Sequence, residues 1–144
     1  MNKYAKDPQE LRRICANRTF AKQLGLIDDD SLEAAEERCR RENARRVEKL
    51  AAGDVVYGLT AYPLPAYLQY ECTRFRLAFA GEHKQVRYNY APITAREEKA
   101  YYKANKDLFT RYMGDKFRFR EVKQVVRKKM REEEYDRAVQ DLLR

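Results

Sequence analysis

Tyr70, Glu71 and Arg74 sit within one helical turn of each other, and a phenol, a carboxylate and a guanidinium so placed could move a proton in a small lyase or isomerase. Such a site needs a pKa displaced by burial or by a neighbouring charge. His83 is the only histidine, so histidine dyads and histidine-rich metal sites have no second member, and Ser31 is the only serine a triad could draw on. A lone histidine beside Gly81 and Glu82 reads as a solvated loop residue. Cys15, Cys39 and Cys72 are widely and irregularly spaced, which points to three reduced thiols rather than a metal site or a disulfide framework. The glycines are dispersed, so no phosphate-cradling loop forms and no cofactor is expected.

The tyrosines are the more informative set. The chain has 11 Tyr and no Trp, and Tyr57, Tyr62, Tyr67, Tyr70, Tyr88, Tyr90, Tyr101 and Tyr102 fall in its central stretch. A tyrosine offers a flat apolar face with a polar tip at low entropic cost, which suits contact with a peptide or a sugar. The competing reading is packing in core and rim. Tyr57, Tyr62 and Tyr70 are expected to be the most exposed, because they lie on a loop or off the main apolar stripe. Thirty-one Lys and Arg against 23 Asp and Glu give a net charge of +8, a bias toward acidic partners. The basic runs Arg38–Arg46 and Arg127–Arg131 are interleaved with or followed by glutamates. Solvated helix faces laced with ion pairs are the expected reading, and nucleic acid or an anionic polymer is the weaker one.

Five helices are expected to carry these side chains. Asp7-Pro8-Gln9-Glu10 places a capping carboxylate, a proline in the first turn and a glutamate three residues past the cap. A helix from Pro8 to about Leu24 follows, closed by Gly25. The segment Ser31–Ala52 shows only a thin stripe, Leu32, Ala35, Cys39, Asn43, Val47 and Leu50, so a largely solvated second helix is expected. Its free edge could also take a second subunit as a homodimer. After a short Val55-Val56-Tyr57-Gly58 segment, Pro63 and Pro65 open a third helix. Leu64, Tyr67, Leu68, Cys72, Phe75 and Phe79 give it the widest apolar face. Val86, Tyr88 and Tyr90 alternate with polar residues and read as an extended loop, because a single strand is marginal without a partner. Thr94-Ala95-Arg96-Glu97 is a capping box opening a fourth helix to about Lys106, and Phe119–Leu143 makes a long fifth one. No repeat, linker or apolar run of roughly 20 residues interrupts the chain, so one helical domain over 1–144 without a membrane span is expected. The first residues have no apolar signal core, which implies a cytoplasmic protein.

The stretch Ile93–Phe109, with a hydroxyl-x-x-Glu start, Tyr101-Tyr102 and then Asn105-Lys106-Asp107-Leu108-Phe109, resembles the SurA- and PrsA-type foldases. There it precedes an inserted parvulin prolyl-isomerase domain, and the tail from Phe119 to Tyr135 resembles the helix that returns after the insert. The resemblance implies an all-α fold like the SurA N-terminal domain, with little or no strand. Here only Thr110–Lys116 occupy the insertion point, so the isomerase module and its active site are missing. What the resemblance then implies is the substrate-holding part alone: a chaperone-like domain without isomerase activity that binds unfolded or extended polypeptide or a specific protein partner. The expected groove is lined by Tyr57, Tyr62, Tyr67, Tyr70, Phe75, Tyr101 and Tyr102, with Arg74 and Arg76 on its rim.

Overall fold

The computed structural model describes residues 3–81, 86–110 and 118–143. Five α-helices follow in chain order: α1 Pro8–Gln23, α2 Leu32–Ala51, α3 Leu64–Ala80, α4 Ala95–Ala104 and α5 Phe119–Leu142, with a 3₁₀ turn at Lys106–Phe109. The fold is all-α, with essentially no strand among the described residues. His83 lies outside them, as do all but Thr110 of the Thr110–Lys116 turn.

The helix starts are set locally. Asp7 Oδ1 accepts the Glu10 N–H at 2.8 Å, Ser31 Oγ accepts that of Ala34 at 3.1 Å, and Thr94 Oγ1 accepts that of Glu97 at 3.1 Å. Each cap satisfies a donor that the first helical turn leaves without a partner. Gly25 and Gly53 close α1 and α2 at φ +77° and +83°, the left-handed region that favours glycine at a helix end.

α5 ties the structure together because its two halves serve different cores. Its C-terminal half places Tyr135 and Val139 against Ala16, Phe20, Ala21 and Leu24 of the α1 segment and Phe75 and Phe79 of α3. Its N-terminal half places Val122 and Val126 against Phe109, with Tyr101 and Tyr102 of α4 packed alongside. Tyr102 meets Phe119 at 5.7 Å between ring centres, which joins the chain directly on either side of the expected insertion point. α2 is the outer helix, held on α3 through Ala35 beside Leu68 and Cys72. Its apolar stripe is buried only in its first half. Val47 and Leu50 are exposed. Leu142, expected on the packed face of α5, is also largely exposed.

The extended segment from Val86 to Tyr90 forms a strap over the first core rather than pairing as a strand. The Arg87 N–H donates to the Leu24 carbonyl at 2.8 Å, the Tyr90 hydroxyl donates to the Phe79 carbonyl at 2.8 Å, and the Tyr88 and Tyr90 rings pack on Phe79 at 4.8 and 5.0 Å.

Candidate functional site

The α2–α3 connection is where exposed aromatic surface and an ordered backbone coincide. Residues 54–63 have neither helical nor strand bonding of their own, so their polar backbone groups need other partners. α2 supplies them from two side chains one turn apart. Asn43 Oδ1 accepts the Tyr62 N–H at 2.7 Å while its amide donates to the Tyr62 carbonyl at 3.1 Å. Arg46 Nη1 donates to the carbonyls of Tyr57 and Leu59, each at 2.7 Å, and Nε donates to Glu42 Oε1 at 3.0 Å. The connection is therefore held by side chains as a sheet neighbour would hold it. Val55, Tyr57 and Leu59 are left exposed on it.

An aromatic ladder continues from this clamp onto α3. The Arg46 guanidinium lies 4.7 Å from the Tyr62 ring centre, Tyr62 stacks on Tyr70 at 4.9 Å with 21° between planes, and Arg74 lies 5.7 Å from the Tyr70 centre. Tyr67 abuts both rings, at 5.9 Å from Tyr62 and 6.0 Å from Tyr70. Alternating cations and ring faces attract through the ring quadrupole, each contact contributing on the order of 0.5–1 kcal/mol where exposed. Tyr57, tied to Arg46 through its backbone carbonyl, has 84% of its surface exposed, and Val55 and Leu59 near it in the chain are exposed as well.

Beneath the ladder lies a buried ion cluster. Glu71 accepts from Arg18 Nη2 at 2.6 Å, from Arg38 Nε at 2.7 Å and Nη2 at 3.1 Å, and from the Tyr67 hydroxyl at 3.1 Å. Arg18 is fully buried and also donates to the carbonyls of Ile14 and Leu68. Both carboxylate oxygens of Glu71 are thus engaged inside the protein, which leaves no lone pair directed at a substrate. Burial, then the Glu71 charge, pushes the Tyr67 phenol well above its ordinary value, so it stays protonated. Arg74 meets Tyr70 over the ring face, a geometry that serves stacking rather than proton transfer. The proton-transfer reading of Tyr70, Glu71 and Arg74 is not favoured.

The expected groove residues fall into separate groups. Tyr62, Tyr67, Tyr70 and Arg74 come together, with Tyr57 beside them on the clamped connection. Phe75 is a core residue, 7% exposed and packed with Phe20 and Phe79. Tyr101 and Tyr102 belong to the α4–α5 cluster, where the Tyr101 hydroxyl donates to Glu133 Oε1 at 3.0 Å and Tyr102 packs on Phe109 at 5.6 Å. Asn43, Arg46 and Arg18 were not singled out by sequence. The one available signal was Asn43, a polar residue at a core-facing position of a thin apolar stripe.

No family model matches the chain. It is 29% identical over 130 residues to a chaperone for lacto-N-biosidase from Bifidobacterium longum subsp. longum, a match spanning 90% of this chain and 45% of that protein. Its fold is also that of part of the GH136 lacto-N-biosidase from Eubacterium ramulus. The native crystal structure aligns with a TM-score of 0.75 at 24% identity, over 92% of this chain and 27% of that one. The selenomethionine form gives 0.74 over 91% of this chain. The chain therefore spans under half of the curated relative and about a quarter of the solved enzyme chain. The chaperone side of the expectation is supported, but the likeness does not point specifically to a SurA- or PrsA-type foldase. This is a helical protein similar to a chaperone for lacto-N-biosidase.

Proposed function

We propose that this chain assists the folding of one specific protein, a glycoside hydrolase of the lacto-N-biosidase type, by binding its polypeptide. The observation that carries the reading is the similarity to a chaperone for lacto-N-biosidase over 90% of the chain. The occurrence of the same fold within a lacto-N-biosidase chain supports it, since a module that works on such an enzyme from outside could also be joined to it. The contact surface is the clamped α2–α3 connection with its aromatic ladder. Tyr57 and Leu59 offer exposed apolar surface on a backbone already fixed by Arg46 and, at Tyr62, by Asn43, so little ordering entropy remains to oppose binding. Aromatic and arginine side chains are the types that carry most interface energy.

The test is co-expression of the Bifidobacterium longum lacto-N-biosidase polypeptide with and without this chain, followed by assay of soluble enzyme activity. Activity that rises with this chain and not with an unrelated helical protein of similar charge supports the reading. Equal activity in both cases refutes it.

A further inference from the structure

The net charge is not spread evenly over the surface. On α2 the basic residues other than Lys49 are paired: Arg38 with Glu71, Arg40 with Glu37, Arg45 and Arg46 with Glu42, and Arg41 with Glu37 at 3.5 Å. The hairpin of α4, the 3₁₀ turn and the first half of α5 is different. Residues 95–110 and 118–129 hold ten Lys and Arg against four Asp and Glu. Among the described residues none of those ten side chains has an ion-pair partner. The glutamates that follow in sequence are committed elsewhere. Glu132 pairs with Arg76 at 3.0 Å, Glu133 accepts from Tyr101, and Glu134 accepts from Arg131 and Tyr88. The expectation that they neutralise Arg127, Lys128 and Lys129 fails for that reason.

We infer that this hairpin is a second contact surface, which captures an acidic stretch of the client polypeptide; the inference rests on the chaperone reading above. Arg96, Lys99 and Lys103 recur along exposed positions of α4, and Lys123, Arg127 and Lys128 do so along α5. Unpaired like charges on adjoining helices repel one another and raise the local potential, which an acidic segment relieves on arrival. The aromatic side chains of the hairpin distinguish this ligand from others. Tyr101, Tyr102, Phe109 and Phe119 pack into the hairpin's own cluster, so they are not presented to stack on nucleic-acid bases. Leu108 and Val125 are the large hydrophobics exposed on it, too few to insert into a lipid surface.

The experiment compares refolding of denatured Bifidobacterium longum lacto-N-biosidase by the wild-type chain, by Lys99→Glu with Lys128→Glu, and by Lys6→Glu with Lys22→Glu as an equal charge change elsewhere. The expected result is a roughly tenfold slower assisted refolding with the first pair only, a difference that vanishes as salt rises from about 0.05 M to about 0.5 M. Should the glutamate pair disturb folding by circular dichroism, Lys99→Gln with Lys128→Gln replaces it, with a smaller loss expected. Equal assistance by both pairs overturns the inference while leaving the chaperone reading intact. Tighter binding of a short DNA duplex than of the client also overturns it. No assistance by the wild-type chain overturns both.

Discussion

Asn43 pairs with the backbone of Tyr62 in both directions, accepting its N–H at 2.7 Å and donating to its carbonyl at 3.1 Å. A side chain here replaces the neighbouring strand that the α2–α3 connection lacks. Asn43→Ala leaves both backbone groups without that partner and is expected to cost about 1–3 kcal/mol. Thermal unfolding reads the loss, and limited proteolysis should show faster cleavage between Asp54 and Pro63. An unchanged cleavage pattern would mean that the clamp does not order the connection.

Glu71 balances the fully buried Arg18, so Glu71→Gln leaves a buried guanidinium without its counter-charge. A loss of about 3–5 kcal/mol is expected from urea denaturation. Arg18→Met combined with Glu71→Leu removes the fully buried charge with its partner and is expected to recover part of that loss, because Arg38, partly exposed, keeps the Asp29 carbonyl while the Tyr67 hydroxyl loses its acceptor. The pair then fixes the position of α1 on α3 more than it adds net stability.

These two clusters mark the limit of what the sequence discloses. The starts of α1 and α4 were legible because Asp7 and Thr94 each act on a residue three positions away. The apolar face of α3 was legible because Leu68, Cys72, Phe75 and Phe79 repeat at the helical period. Arg18 finds Glu71 only across 53 residues, and Asn43 finds Tyr62 across 19, so neither role leaves a local pattern. The division of the tyrosines into two groups was hidden for the same reason. Tyr62, Tyr67 and Tyr70 meet one another between α3 and the connection before it, whereas Tyr102 meets Phe109 and, beyond the turn, Phe119 of α5.

Burial raises the Tyr90 phenol to about 12, and burial with a bond to Glu133 raises that of Tyr101 to about 12. Both lie above the ordinary tyrosine value near 10, so the unfolded chain loses these protons first as the solution becomes alkaline. Stability from this source is full below about pH 10 and drains away as pH rises toward 12. Urea unfolding across that range should show the fall, and Tyr90→Phe with Tyr101→Phe should make it shallower, with the raised phenols of Tyr67 and Tyr135 carrying the remainder.

Burial likewise pushes the thiols of Cys15, Cys39 and Cys72 up, which suppresses the reactive thiolate. Labelling with a thiol reagent at neutral pH should therefore be slow in the folded protein and fast in urea. Cys39 and Cys72, both buried, should be slower than the half-buried Cys15.

The central claim is that the clamped connection holds the client. Tyr57 tests it best, because the residue is 84% exposed and its backbone carbonyl serves the clamp. Tyr57→Ala should change stability by no more than about 0.5 kcal/mol. Affinity of the immobilised chain for denatured lacto-N-biosidase is predicted to fall roughly tenfold on this substitution, with the melting temperature unchanged. Affinity equal to that of the wild-type chain would contradict the account.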